Sequence, residues 1–69
     1  MTREEFINKL SNPQGLDNNG KIEVCQHFID NYPINIHGMA VRMNISINGG
    51  SEQAVNHAFT TLQGRINEF

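Results

Sequence analysis

The chain holds a single cysteine, no tryptophan and only two prolines among its 69 residues, and charged residues make up 17% of it. One cysteine excludes an internal disulfide, and no Cys/His spacing resembles a zinc site, so neither metal nor cofactor is expected. No apolar run approaches the roughly 18 residues a membrane span requires. No basic stretch followed by an apolar block reads as a signal peptide, so the expected compartment is the cytoplasm. Positive charge is scarce as well. Five Lys/Arg stand against seven Asp/Glu, a formal charge of −2. The five are dispersed at Arg3, Lys9, Lys21, Arg42 and Arg65, which argues against phosphate-backbone binding and hence against nucleic acid.

What is present suffices for one folded domain spanning residues 1–69. Leu, Ile, Val and Phe number 18, above the level at which disorder becomes the default. A domain this small buries only about 60% of its unfolded surface and is marginal on its core alone. Without a disulfide or metal, the remaining route to extra stability is a second subunit, so a homo-oligomer, most simply a dimer, is expected. Asparagine is abundant, at ten residues, and several fall between elements (Asn12, Asn18, Asn19, Asn48), where its short amide bonds the local backbone.

The first helix is marked at its start. Thr2 and Glu5 have capping-box spacing, and Met1 and Phe6 occupy the positions of a hydrophobic staple. Phe6, Ile7 and Leu10 form its apolar stripe, and it should stop near Ser11, because Asn12 precedes Pro13. Residues 11–20 read as a loop. A second helix is expected over residues 21–32. Val24, Phe28, Tyr32, Cys25, Ile29 and Ile22 share one arc, and Lys21 intrudes on it. Pro33 ends that helix.

Beyond it the pattern changes. Met39, Val41, Met43, Ile45 and Ile47 alternate with Ala40, Arg42, Asn44 and Ser46, the period of a half-buried strand. Ile34 and Ile36 alternate in the opposite phase. A hairpin turn at His37-Gly38 would bring Ile36 opposite Met39 and Ile34 opposite Val41, and a single strand bulged at Gly38 repairs the phase equally well. After the turn Asn48-Gly49-Gly50, Ser51 caps a last helix running to about Glu68. Ala54, Val55, Ala58, Phe59, Leu62 and Ile66 share its apolar arc, with Arg65 intruding. The expected class is therefore α+β, in the order α-α-β-β-α: a short hairpin or one long strand packed under amphipathic helices. A strand with unpaired amides is a template for another chain, so the self-association set is Met39, Val41, Met43, Ile45 and Ile47, completing a shared sheet.

Motifs with chemistry are sparse. Asp17-Asn18-Asn19-Gly20-Lys21-Ile22 resembles the middle of a calcium loop, but Gly15 and Gln26 stand where that loop needs carboxylates. The turn Asn48, Gly49, Gly50 and Ser51 before a helix has the geometry to hold an anion, although it lacks a lysine and is followed by Glu52. His27, His37 and His57 lie on separate elements. Cys25 and His27, two apart on a helix, point away from each other. Asn44-Ile45-Ser46 matches a glycosylation sequon that has no meaning without secretion. No nucleophile–base–orienter set is visible, so no enzyme is expected. The leading expectation is a small non-catalytic interaction protein that self-associates and binds a protein partner as a regulator, adaptor or inhibitor, of a kind carried by mobile elements. Its polar faces, with His27, Asn31, Asn56, Thr60 and Gln63, would offer the binding surface. The alternative is an anion- or nucleotide-binding protein using Asn48–Ser51.

Overall fold

Local hydrogen bonding explains where each helix starts. In the computed structural model, which describes residues 1–32 and 38–69, the Thr2 hydroxyl accepts from the Glu5 amide at 3.1 Å and the Glu5 carboxylate accepts from the Thr2 amide at 3.3 Å. This capping box opens α1 (Arg3–Ser11), and its hydrogen bonds hold the Glu5 carboxyl below the usual carboxylate range. Helix α2 (Asn18–Asn31) begins three residues before the expected Lys21. The reason is Asp17, whose carboxylate accepts from the Gly20 amide at 2.8 Å and so caps the helix. Gly20 suits that first turn because a side chain there would meet the Leu16 methyl at 3.0 Å.

The expected β portion is helical. Residues Met39–Asn48 form α3, and no strand occurs among the described residues, so the class is all-α and the α+β order is corrected. Gly38 is neither hairpin turn nor bulge. With φ of 71° it is the left-handed residue that leads into α3, and its carbonyl accepts from the Arg42 amide at 3.3 Å. Ile34, Ile36 and His37 lie outside the described residues, but the strand face proposed to pair with them does not exist.

The physical source of the error is a coincidence of periods. Positions 39, 43 and 47 belong to both a two-residue alternation and a helical i, i+4, i+8 stripe. The two readings differ only at the positions between. On a helix Ala40 joins the stripe, while Val41 and Ile45 turn away from it. In the structure Met39, Ala40, Met43 and Ile47 are buried, whereas Val41 is 67% exposed and Ile45 70% exposed. Met, Ala and Arg favour helix, and that preference sides with the tertiary packing against the β-branched residues.

Helix α4 (Glu52–Gln63) starts at Ser51, whose hydroxyl accepts from the Ala54 amide at 3.5 Å. It ends sooner than Glu68. Gly64 forms its C-cap, and a short 3-10 turn, Ile66–Glu68, completes the chain's ordered path.

The core is formed by one stripe from each helix: Phe6 and Leu10, then Val24, Cys25 and Phe28, then the α3 set, then Val55, Ala58, Phe59 and Leu62. Full burial of each large side chain contributes about 1.5–3 kcal/mol. Helix α2 touches all three others. It runs alongside α4 in the same direction. Near their starts Lys21 donates to the Asn56 amide oxygen at 2.8 Å and Asn18 donates to the Gly50 carbonyl at 3.4 Å. Near their far ends Phe28 and Tyr32 meet Phe69, with ring centroids 5.4 and 5.3 Å apart. Helix α3 packs against both and forms an antiparallel pair with α4. Helix α1 closes the far end. Phe6 joins the ring cluster at 5.2 Å from Phe69, Arg3 donates twice to the Phe69 carbonyl (2.9 and 2.6 Å), and Gln63 donates to the Leu10 carbonyl at 3.0 Å.

A pair of substitutions separates the helix from the strand. On a strand, positions 45 and 47 would be equivalent. On α3, Ile47→Ala should cost about 2–5 kcal/mol and Ile45→Ala less than about 0.5 kcal/mol, as read from urea unfolding. Equal losses at both positions would contradict the helix.

Candidate docking groove

The antiparallel pairing of α3 and α4 leaves a groove of about 200 Å³ on the side away from α2. Its floor is apolar: Met39 and Met43 from α3, Ala58 from α4. Its rim carries Arg42 and Ser46 from α3, His57 and Thr61 from α4, and Arg65 from just beyond the α4 cap. The two hydroxyls are already committed as donors, Ser46 to the Arg42 carbonyl at 3.1 Å and Thr61 to the His57 carbonyl at 2.9 Å. Arg65 meets Glu68 at 3.0 Å in an exposed ion pair, a contact of small net worth. At 100° per residue, Ile45 lies about 60° round α3 from Arg42 and Val41 about 40° further, on the side of the helix turned away from the core.

The structure divides the self-association set. Met39, Met43 and Ile47 are consumed by the protein's own core, at 4–5% exposure, and only Val41 and Ile45 face outward. The shared sheet is therefore removed as a mode of association. Sequence reasoning passed over the basic rim. Arg65 was legible as the cation intruding on the last helix's apolar arc, and Arg42 as one of the residues alternating with the apolar set of the expected strand. Nothing in the linear sequence placed the two on one groove.

The second candidate, Asn48, Gly49, Gly50 and Ser51, is a tight joint between α3 and α4. The Gly50 amide donates to the Ile47 carbonyl at 3.1 Å, and the Ser51 hydroxyl is occupied as a cap. The parallel course of α2 and α4 brings two helix starts to this end. Lys21, in the first turn of α2, is held by Asn56 and lies 5.7 Å over the Phe59 ring. The Asn18 Oδ1 atom is buried there without a hydrogen-bond partner.

The polar faces expected to bind a partner are partly used inside the fold. Asn56 holds Lys21, Gln63 holds the Leu10 carbonyl, and Asn31 donates to the His27 carbonyl at 2.8 Å. His27 is half-buried against Phe6, ring centroids 4.9 Å apart, and desolvation lowers its pKa from 6.5. His57 reaches the groove from α4, and His37 lies outside the described residues. Among the described residues no group of three or more His, Cys, Asp or Glu is placed to hold a metal, and no helix is long and apolar enough to cross a membrane.

Cys25 is completely buried on α2, and burial pushes its thiol up to about 12. It acts as a small apolar side chain, with almost no thiolate at neutral pH. Alkylation of Cys25 at pH 8 should accordingly follow the unfolding rate and accelerate with urea. Rapid labelling of the folded chain would show the thiol to be accessible.

The two turn glycines should behave differently. Gly50 has φ of 67°, where an alanine costs about 1–2 kcal/mol, while Gly49 is ordinary right-handed backbone with nothing closer than 3.9 Å to an added Cβ. Gly50→Ala should lower the melting temperature and Gly49→Ala should leave it unchanged or slightly raised. Equal losses would overturn this account of the turn.

In comparisons with known proteins, the chain matches no family model, no curated protein and no solved structure.

Proposed function

We propose that the protein is a non-catalytic interaction module that binds a protein partner through α3 and the adjoining α3–α4 groove. The observation that carries this reading is the exposed pair Val41 and Ile45, one turn apart on the same side of α3. Isolated exposed apolar residues are common and need no explanation. These two differ in their setting, because they stand together on the side of α3 turned away from the core, on the same helix that supplies Met39, Arg42, Met43 and Ser46 to the groove. They also do nothing for the helix. Both are β-branched, with helix propensity below that of Gln, Lys or Glu, and neither contributes to the core. Their removal should therefore cost the fold little. Methionine on the groove floor suits recognition, since its unbranched, polarizable side chain adapts to the shape of an inserted residue. Cys25 is sealed, and among the described residues the Ser46 and Thr61 hydroxyls donate to backbone carbonyls rather than to the His57 ring.

The anion-binding alternative draws less support. The Asn48–Ser51 turn already uses its Gly50 amide and Ser51 hydroxyl within the fold, and Glu52 follows directly with like charge for any anion.

A selection of short random peptides displayed on phage would test the docking reading. Wild-type protein and the double variant Val41→Gln/Ile45→Gln serve as parallel targets, and circular dichroism confirms that both are folded. Glutamine is a good helix former, so the variant should melt at or above the wild-type temperature. Peptides enriched on the wild type should lose at least about tenfold in affinity for the variant. Failure to enrich any peptide, or equal binding to both targets, would count against docking at α3.

A further inference from the structure

We infer that His27 is a pH-sensitive latch between α1 and α2, independent of any docked partner: the fold holds its ring neutral with the proton on Nε2, and acidification through the imidazole range loosens the packing of α1. The geometry starts at Asn31, one turn along α2 from His27. Its side-chain nitrogen donates to the His27 carbonyl at 2.8 Å, which fixes the orientation of the amide, because an oxygen in that place would face another acceptor. The same nitrogen lies 3.3 Å from Nδ1 of the His27 ring. An amide NH2 group is a donor only, so Nδ1 presents its lone pair and the ring's single proton sits on Nε2. A proton added at Nδ1 would set two donors face to face and cost that hydrogen bond.

The ring's protonation state matters because of what packs on it. Phe6 of α1, with no exposed surface, lies against it at a centroid distance of 4.9 Å. Phe6 also meets Tyr32 at 5.9 Å and Phe69 at 5.2 Å, so the histidine stands at the edge of the ring cluster where α1 enters it. A neutral imidazole buries its apolar part against Phe6, whereas a charged one draws water to the joint. The carboxylates around the ring act in the opposite sense. Glu23 and Asp30 of α2 border the same shallow depression as His27, and Glu5 acts from α1. Asp30 already accepts from Gln26 at 2.9 Å and Glu5 from Thr2 at 3.3 Å, and all three are exposed to screening solvent. The Met1 amino group, on the α1 side, opposes a second positive charge. Burial first, and then that amino group, outweigh the carboxylates and hold the ring's pKa below 6.5. The folded protein therefore binds this proton less readily than the unfolded chain. The stability that the neutral ring contributes is complete above about pH 6.5 and is lost as pH falls from there toward the ring's lower folded value.

NMR of the histidine ring tests the latch directly. Long-range nitrogen–proton correlations at about pH 7.5 should show the His27 proton on Nε2, and titration should place its midpoint below 6.5. The amide resonances of residues 6–10 should move with that midpoint while those of α3 stay. Melting temperature should fall between about pH 7.5 and about pH 5.5, and His27→Gln should remove most of the fall. Glu5 does not enter this window, because its carboxyl is held below 4.5. Asn31→Asp offers a carboxylate to Nδ1–H and should reverse the sign, with the ring titrating above 6.5 and this histidine stabilising the fold at the acid end. A proton on Nδ1 at neutral pH, a midpoint at or above 6.5 in the wild type, or a melting profile unchanged by His27→Gln would overturn the inference. Amides of α1 indifferent to the titration would overturn it as well, since the histidine would then not act on that helix.

Discussion

Everything else in the molecule leans on the apolar arc of α2. Val24, Cys25 and Phe28 are wholly buried, with Ile22, Ile29 and Tyr32 half-buried around them, and each of the other helices packs on some part of this surface. Among the described residues the core contains no polar or charged side chain. Such burial is strong but has little directional preference. Helices suit it, because each satisfies its own backbone groups and only the ends need partners. Orientation then comes from the edges of the core. Lys21 with Asn56, Gln63 with the Leu10 carbonyl, and Arg3 with the Phe69 carbonyl join specific positions on different elements. The ring cluster of Phe6, Phe28, Tyr32 and Phe69 binds the first helix and the last residue to the same end of α2.

This arrangement also makes the groove. Helices α3 and α4 both turn their apolar stripes toward α2, so the space between their outer flanks is left to be lined by whatever residues follow the stripes. On α3 these are Arg42 and Ser46, on α4 His57 and Thr61, and beyond the α4 cap Arg65. Val41 and Ile45 stand outside because α3 is covered on one side only. A helix whose opposite side remains apolar after the core is complete has more hydrophobic surface than folding uses, and that surplus underlies the docking reading.

Helix starts were legible where side chains bond the nearby backbone. Thr2 with Glu5, Ser51, and the stop before Pro13 all act within a few residues, so spacing alone revealed them. The start of α2 was misplaced because Asp17 was taken as part of a loop rather than as a cap for the Asn-Asn-Gly that follows. The arcs of α2 and α4 were recognisable since each has one apolar side and one polar side. Helix α3 was not, because it is apolar on both: one side is buried in the core and the other is exposed. A segment with that composition shows the two-residue alternation of a strand. Of the candidate site, the intrusion of Arg65 on an apolar arc was visible, but its meeting with Arg42 across 23 positions was not.

The amino-acid sequence by itself determined that these 69 residues hold no internal disulfide, and it determined three of the four helices seen among the described residues and most of the core, because those depend on composition and on contacts within one or two turns. Tertiary structure decided the state of residues 39–48 and, with it, the class of the fold. Met39, Met43 and Ile47 satisfy either period. Only the shape of the surface offered by α2 and α4 selects the helix, by giving Ala40 a place in the core and leaving Val41 and Ile45 outside. The groove was decided in the same step, since bringing Arg42 on α3 and Arg65 beyond the end of α4 to one rim requires the packing that aligns those helices.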